Sequence, residues 1–205
     1  MPAHNENMPD AALHLRMHRE GVLIADGVAA PPIRFVIDPV TAELVFPADG
    51  SMLGAEEWVL FVPRELPEHD RELQLLVTAR EVPQGGISDR WMAYHGTPRW
   101  AGFASCRVEG ARFDGRVLED GDLAALVEPP GIGRLEGLLL KKLNGDKSRL
   151  RAACKRFAQA AVPDPLAVGV DKHGVDVRTT FGIVRLDWGV SSSVEQSVDD
   201  LLGTD

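Results

Sequence analysis

From Gly21 onward the chain alternates between apolar and polar positions. PIRFVID places Ile33, Phe35 and Ile37 on one side and Arg34 on the other, the period of two of a half-buried strand. Asp38-Pro39-Val40-Thr41 has turn chemistry, and AELVFP reads as the returning strand. EEWVLFVP is apolar on both sides, the pattern of a strand covered on both faces, in a closed barrel or at a subunit contact. RELQLLVTAREV sets Leu73, Leu75, Val77 and Ala79 on one face and Gln74, Thr78 and Arg80 on the other, with Leu76 breaking the polar face. DRWMAYHG reads as another strand between a Gly-Gly turn and Gly96-Thr97-Pro98, and FASCRVEGARFDGRVLE continues with glycines that suit bulges or bends. SMLGAEE, between two strands, is expected to hold one helical turn. This succession of short strands with close turns predicts a small antiparallel barrel over 20–128. Residues 1–19 are polar, with His4, His14 and His18 scattered among them, and predict a loose tail that ends in a short helix at most.

The period changes after VEPPGIGRLEG, a Pro- and Gly-rich stretch that reads as a junction. In LNGDKSRLRAACKRFAQAA, positions Leu143, Leu150, Ala153, Cys154, Phe157 and Ala161 share one helical face. Asn144 is the expected N-cap, and Asp146 suits the positive end of the helix. Val-Pro-Asp-Pro ends it. Three meandering strands follow, in LAVGVD, VDVRT and IVRLDW, with a turn at Lys172-His173-Gly174. Ser192 and Glu195 form a capping-box pattern before an apolar stripe of Val194, Val198, Leu201 and Leu202. Residues 134–205 are therefore expected to be a helix–three-strand–helix domain, and the whole chain an α+β protein.

Composition narrows the function classes. The formal charge is -9 over 205 residues, which disfavours nucleic acid and anionic membrane as partners. No run approaches the ~18 apolar residues of a membrane helix. Cys106 and Cys154 match no metal or redox spacing and sit among small or apolar residues. Reduced thiols and the lack of a signal-peptide pattern predict a cytoplasmic protein.

Strong catalytic motifs are missing: there is no GxGxxG, P-loop, HExxH or GxSxG. RWMAYHGTPRW is the best local candidate, with His95, Arg99 and Trp100 as cofactor-binding candidates around a strand end. Alternation puts His95 with Trp91 and Ala93, and puts Tyr94 with Arg90 and Met92 on the other face. No carboxylate on the His95 face orients the imidazole, so packing at a barrel rim is favoured over catalysis. His14 and His18 lie one helical turn apart but make a poor metal site on their own, so none is expected. Lys147, Arg151 and Lys155 form a basic stripe, flanked by Arg149 and Arg156, which suits a solvated face or an anionic group.

The helix and meander carry a resemblance. LNGDKSRLRAACKRFAQAAV followed by VGVDKHGVDVRTTFGIVRLDW is similar to the small C-terminal domain of haem-utilisation proteins in the pyridoxamine-phosphate-oxidase-like, FMN-binding split-barrel superfamily. Asn144 and Asp146 match that family's helix opening, while Gly145 and Lys147 depart from it. Asp171, Gly174, Asp176 and Arg178 match its Asp-x-x-Gly-x-Asp-x-Arg signature. The resemblance implies a split antiparallel β-barrel before this domain, and a homodimer. The stretch that holds the flavin phosphate in FMN-binding members has no counterpart: between Phe46 and Trp58 the chain offers SMLGAEE. Two functions stay open. One is a cofactor-free or weakly ligand-binding dimer acting as a binding or regulatory module. The other is a haem- or FMN-binding protein with oxidoreductase or haem-degrading activity, in which His95, Arg99 and Trp100 hold a small aromatic anionic ligand.

Overall fold

The computed structural model describes residues 10–63, 72–100, 102–159, 161–188 and 193–203. Asn7–Pro129 form one compact unit and Pro130–Asp205 the body of another. The first unit holds α1 (Asp10–Met17), β1 (Glu20–Ala25), β2 (Val28–Ala29), β3 (Ile33–Arg34), β4 (Val36–Ile37), β5 (Leu44–Ala48), α2 (Gly50–Leu53), β6 (Trp58–Val62), β7 (Leu73–Val82), α3 (Ile87–His95), β8 (Gly102–Phe113), β9 (Arg116–Val117) and α4 (Asp120–Leu126). The second holds α5 (Leu135–Gly145), α6 (Lys147–Phe157), β10 (Leu166–Asp171), β11 (Gly174–Thr179), β12 (Gly182–Asp187) and α7 (Val194–Leu202).

The first unit is built on an antiparallel sheet ordered β2-β1-β6-β7-β8-β5-β4, with β3 on β1 and β9 on β8. Alternation sets its inner face: Leu23, Leu44, Phe46, Trp58, Leu60, Leu73, Leu75 and Cys106 are all buried in one cluster. PIRFVID is not one continuous strand. Phe35 interrupts it, its N–H donating to the Arg19 carbonyl at 2.9 Å. As a result Ile33 and Arg34 pair with β1, and Val36 and Ile37 pair with β5.

Two expectations for this unit are corrected. From residue 10 the tail ends in the short helix expected there, but it is not loose: Ala11, Ala12 and Leu15 enter the inner cluster. His14, Arg16 and Arg19 between and beyond them hide that narrow stripe from a reading by polarity; the first nine residues lie outside the described ones. DRWMAYHG is helix α3, not a strand. Glycines with positive φ stand at both ends, Gly86 (φ 55) and Gly96 (φ 83), and the Gly96 N–H closes the last turn on the Met92 carbonyl at 2.9 Å. Trp91 and Tyr94, three apart, are buried, while Met92 and Ala93 face out.

In the second unit α5, α6 and α7 share one apolar cluster with the sheet β10-β11-β12. The predicted helix is α6, which begins after Asp146, and a further helix, α5, precedes it where the sequence reads as running out of a junction. Asp146 caps α6, accepting from the Arg149 N–H at 3.0 Å and the Ser148 hydroxyl at 2.6 Å. The expected cap, Asn144, lies inside α5 and serves β10 instead: its amide donates to the Ala167 carbonyl and accepts from the Ala167 N–H, both at 2.9 Å. Leu150, Ala153 and Cys154 are buried as the helical period predicts. Phe157 is not: it is 44% exposed under the Arg156 guanidinium, 4.5 Å from its ring centroid. Ser193 caps α7, accepting from the Gln196 N–H at 3.1 Å. The predicted cap, Ser192, lies outside the described residues.

Candidate functional site

Helix α3 packs on β4 and β5 and positions the aromatic-basic stretch. It covers the sheet face opposite the inner cluster, where Val36, Val45 and Phe103 are buried. The Trp91 indole meets Phe103 edge-on at 5.8 Å, and its Nε1 donates to the Arg34 carbonyl at 2.8 Å. One turn later His95 Nε2 lies 3.1 Å from the Phe35 carbonyl. A carbonyl only accepts, so this nitrogen carries the proton in that bond. The helical period also corrects the expected grouping. Tyr94 lies on the His95 side, with ring centroids 5.9 Å apart, and Trp91 is 5.0 Å from His95. The Arg90 guanidinium stands 5.3 Å above the Tyr94 ring and donates to its hydroxyl at 3.2 Å.

Of the three cofactor-binding candidates, His95 is thus engaged with the backbone that crosses between β3 and β4. Trp100 leans on the inner cluster, and Arg99 is exposed with its guanidinium 5.3 Å from the Trp100 ring. What unites this region is a clasp of α3 on residues 34 and 35.

A second polar centre lies in the β10-β11-β12 sheet. The Arg185 side chain, 2% exposed, donates to Asp171 at 2.7 and 2.9 Å, to Asp176 at 3.2 Å and to Asp187 at 2.9 Å. Burial pushes the Asp171 carboxyl up, but the guanidinium and its hydrogen bonds outweigh this and hold the group below the usual carboxylate range. Burial likewise opposes the charge on Arg185, and the surrounding carboxylates outweigh it, so the guanidinium stays protonated. Asp171 Oδ1 also accepts from the N–H groups of His173 (2.7 Å) and Gly174 (3.0 Å), which closes the turn. A Cβ on Gly174 would stand 2.5 Å from the Leu186 carbonyl oxygen and 2.9 Å from Arg185 Nε. The Asp171–Gly174–Asp176 pattern is therefore the geometry of one buried ion cluster. The partner is Arg185, which the sequence did not single out. Its signal was present: a lone cation alternating with Val184 and Leu186, directly opposite Asp176 in register.

A third cluster, on the outer face of β5 and β8, was also missed. Glu43 accepts from Ser105 at 2.5 Å and from Arg80 at 2.6 Å. Burial first, and the Glu43 charge second, push the neighbouring Cys106 thiol up to about 12, so it is inert as a nucleophile at neutral pH. Burial also raises Cys154. Among the described residues no three His, Cys, Asp or Glu side chains form a metal-binding group. The His14 and His18 ring centroids lie 4.4 Å apart with the planes tilted by 48°, and His14 Nε2 is 3.3 Å from the Val62 carbonyl. Among the same residues no helix is long and apolar enough to cross a membrane.

No protein-family model matches this sequence, and no curated protein matches it. The fold is similar to the crystal structure of Atu2129 from Agrobacterium tumefaciens strain C58, a protein of unknown function, with a TM-score of 0.66 at 15% identity over 95% of this chain and 91% of that one.

Proposed function

We propose that this chain is a cofactor-free split-barrel homodimer that acts as a binding or regulatory module. The observation that carries the first part is the α3 clasp: the polar atoms of Trp91 and His95 hold the carbonyls of Arg34 and Phe35. Side chains committed to their own backbone are structural before they are catalytic. The barrel rests on the same segment. β3 pairs with β1 and β4 with β5, so residues 33–37 link strands that are otherwise separated by β6, β7 and β8.

The dimer rests on the outer sheet face. Helix α3 covers β4 and β5, whereas Val22, Ile24, Val59 and Phe61 are only half-buried and Leu76 is 47% exposed. Register places these five side by side, Val22 with Phe61, and Ile24 with Val59 and then Leu76. A contiguous apolar face of this kind is a contact surface. The alternative is a haem- or FMN-binding oxidoreductase. The exposed Arg99 over Trp100 favours it, since that pair suits an anionic aromatic ligand.

Two measurements on the purified full chain test the proposal. Titration with FMN or haemin is expected to give no flavin quenching and no shifted Soret band at micromolar protein; micromolar or tighter uptake refutes the cofactor-free role. Light scattering is expected to give a dimer that Leu76→Arg splits. A monomeric wild type at high micromolar concentration refutes the dimer.

A further inference from the structure

The two edges of the β10-β11-β12 sheet differ. The β10 edge is sealed by α5: Asn144 pairs with both backbone groups of Ala167 at 2.9 Å, and Glu136 accepts from the Val170 N–H at 3.2 Å. At the other edge β12 pairs, among the described strands, with β11 alone. Its sequence, GIVRLD, has no proline or lysine, and its one cation, Arg185, is turned inward onto Asp171, Asp176 and Asp187 rather than out along the edge. Ile183 and Val184 are half-buried, and Phe181 in the adjoining turn is 64% exposed. Such an edge is a template for a further strand.

Charge selects the occupant. Helix α6 packs against β12 and carries Lys147, Arg149, Arg151, Lys155 and Arg156 with no acidic residue. Lys147 and Arg149 meet Asp164 and Asp146. Arg156 donates to the carbonyls of Asp200 and Leu201, which solvate its charge without neutralising it. Lys155 makes no hydrogen bond or ion pair among the described residues. A second copy paired through β12 would bring two basic α6 helices together. We propose that the open edge of β12, with α6 beside it, docks an extended acidic peptide segment of a partner protein. Its backbone continues the sheet and its carboxylates face the α6 cations. Nucleic acid shares the charge but has no N–H and C=O ladder to match a strand edge.

This gives the binding module a partner class, and the two stand or fall separately: cofactor uptake sinks the cofactor-free role and leaves the β12 edge untouched. The test is amide NMR of the full chain titrated with a peptide of about eight residues, a strand's length, alternating Glu and Val. The expected result is saturable shifts at residues 183–187 that weaken as salt rises. Lys155→Glu, at an exposed position, should weaken binding about two- to fivefold, the scale of an exposed ion pair. A matched Lys–Val peptide should not bind. Unmoved β12 amides at millimolar peptide overturn the proposal. So does equal binding of the Lys–Val peptide, or a single-stranded oligonucleotide that shifts α6 amides while β12 stays still.

Discussion

The Trp91 indole donates a 2.8 Å hydrogen bond to the carbonyl of Arg34, a residue 57 positions earlier in the chain. That bond ties α3 to the point where the chain passes from β3 to β4. Trp91 is buried against Phe103, so Trp91→Phe keeps an aromatic ring there and removes the donor. The Arg34 carbonyl is then left without it, at a cost of about 1–3 kcal/mol. Urea unfolding measures this. A loss below about 0.5 kcal/mol would show that the clasp does not hold the crossing.

Asn144 closes the edge of β10 with two bonds to one residue. Asn144→Ala should destabilise the chain by about 1–3 kcal/mol and speed hydrogen exchange at the Ala167 amide. Asn144→Asp keeps an acceptor for the Ala167 N–H but sets a carboxylate against the Ala167 carbonyl, so it should not restore full stability. If Asn144→Asp matches the wild type, the donated half of the pair contributes nothing.

How much of this was legible depends on whether the signal was local. The β7 alternation Leu73, Leu75, Val77 and the α6 face Leu150, Ala153, Cys154 follow from period alone, and both are buried as read. The stretch 87–95 misled because Trp and Tyr favour strands, whereas the deciding facts are the glycine at each end and a sheet face for Trp91 and Tyr94 to cover. The Asn144 cap misled for the same reason: its partner, Ala167, is 23 residues away. Phe157 followed the apolar stripe, but α6 ends there and its ring emerges beside Arg156. The polar centre was half legible. Asp171, Gly174, Asp176 and Arg178 stood out only through the family resemblance, and the cation that pairs with the two carboxylates is Arg185, which required the β11–β12 register.

The Arg185 cluster makes stability depend on pH in the acid range. The folded Asp171 carboxyl is held below its ordinary value of 3.8, so the folded state binds its proton more weakly than the unfolded chain. Its contribution is complete above that value and is lost as pH falls through the folded value. Unfolding free energy should therefore decline as pH falls below about 4, and Asp171→Asn should flatten that decline while lowering stability at neutral pH. An unchanged acid slope in Asp171→Asn would place the titrating group elsewhere.

The clasp and a cofactor pocket make opposite demands on His95, and urea unfolding of the wild type and His95→Ala, each with and without FMN or haemin, separates them. A cofactor bound at roughly 100 times its Kd would stabilise the folded chain by about 2.7 kcal/mol. If His95 is structural, the wild-type midpoint stays put when either cofactor is added, and His95→Ala loses about 1 kcal/mol through its missing bond to the Phe35 carbonyl, with or without ligand. A wild-type midpoint that rises with FMN or haemin, together with a His95→Ala protein of unchanged stability that no longer responds, would make this stretch a cofactor site instead.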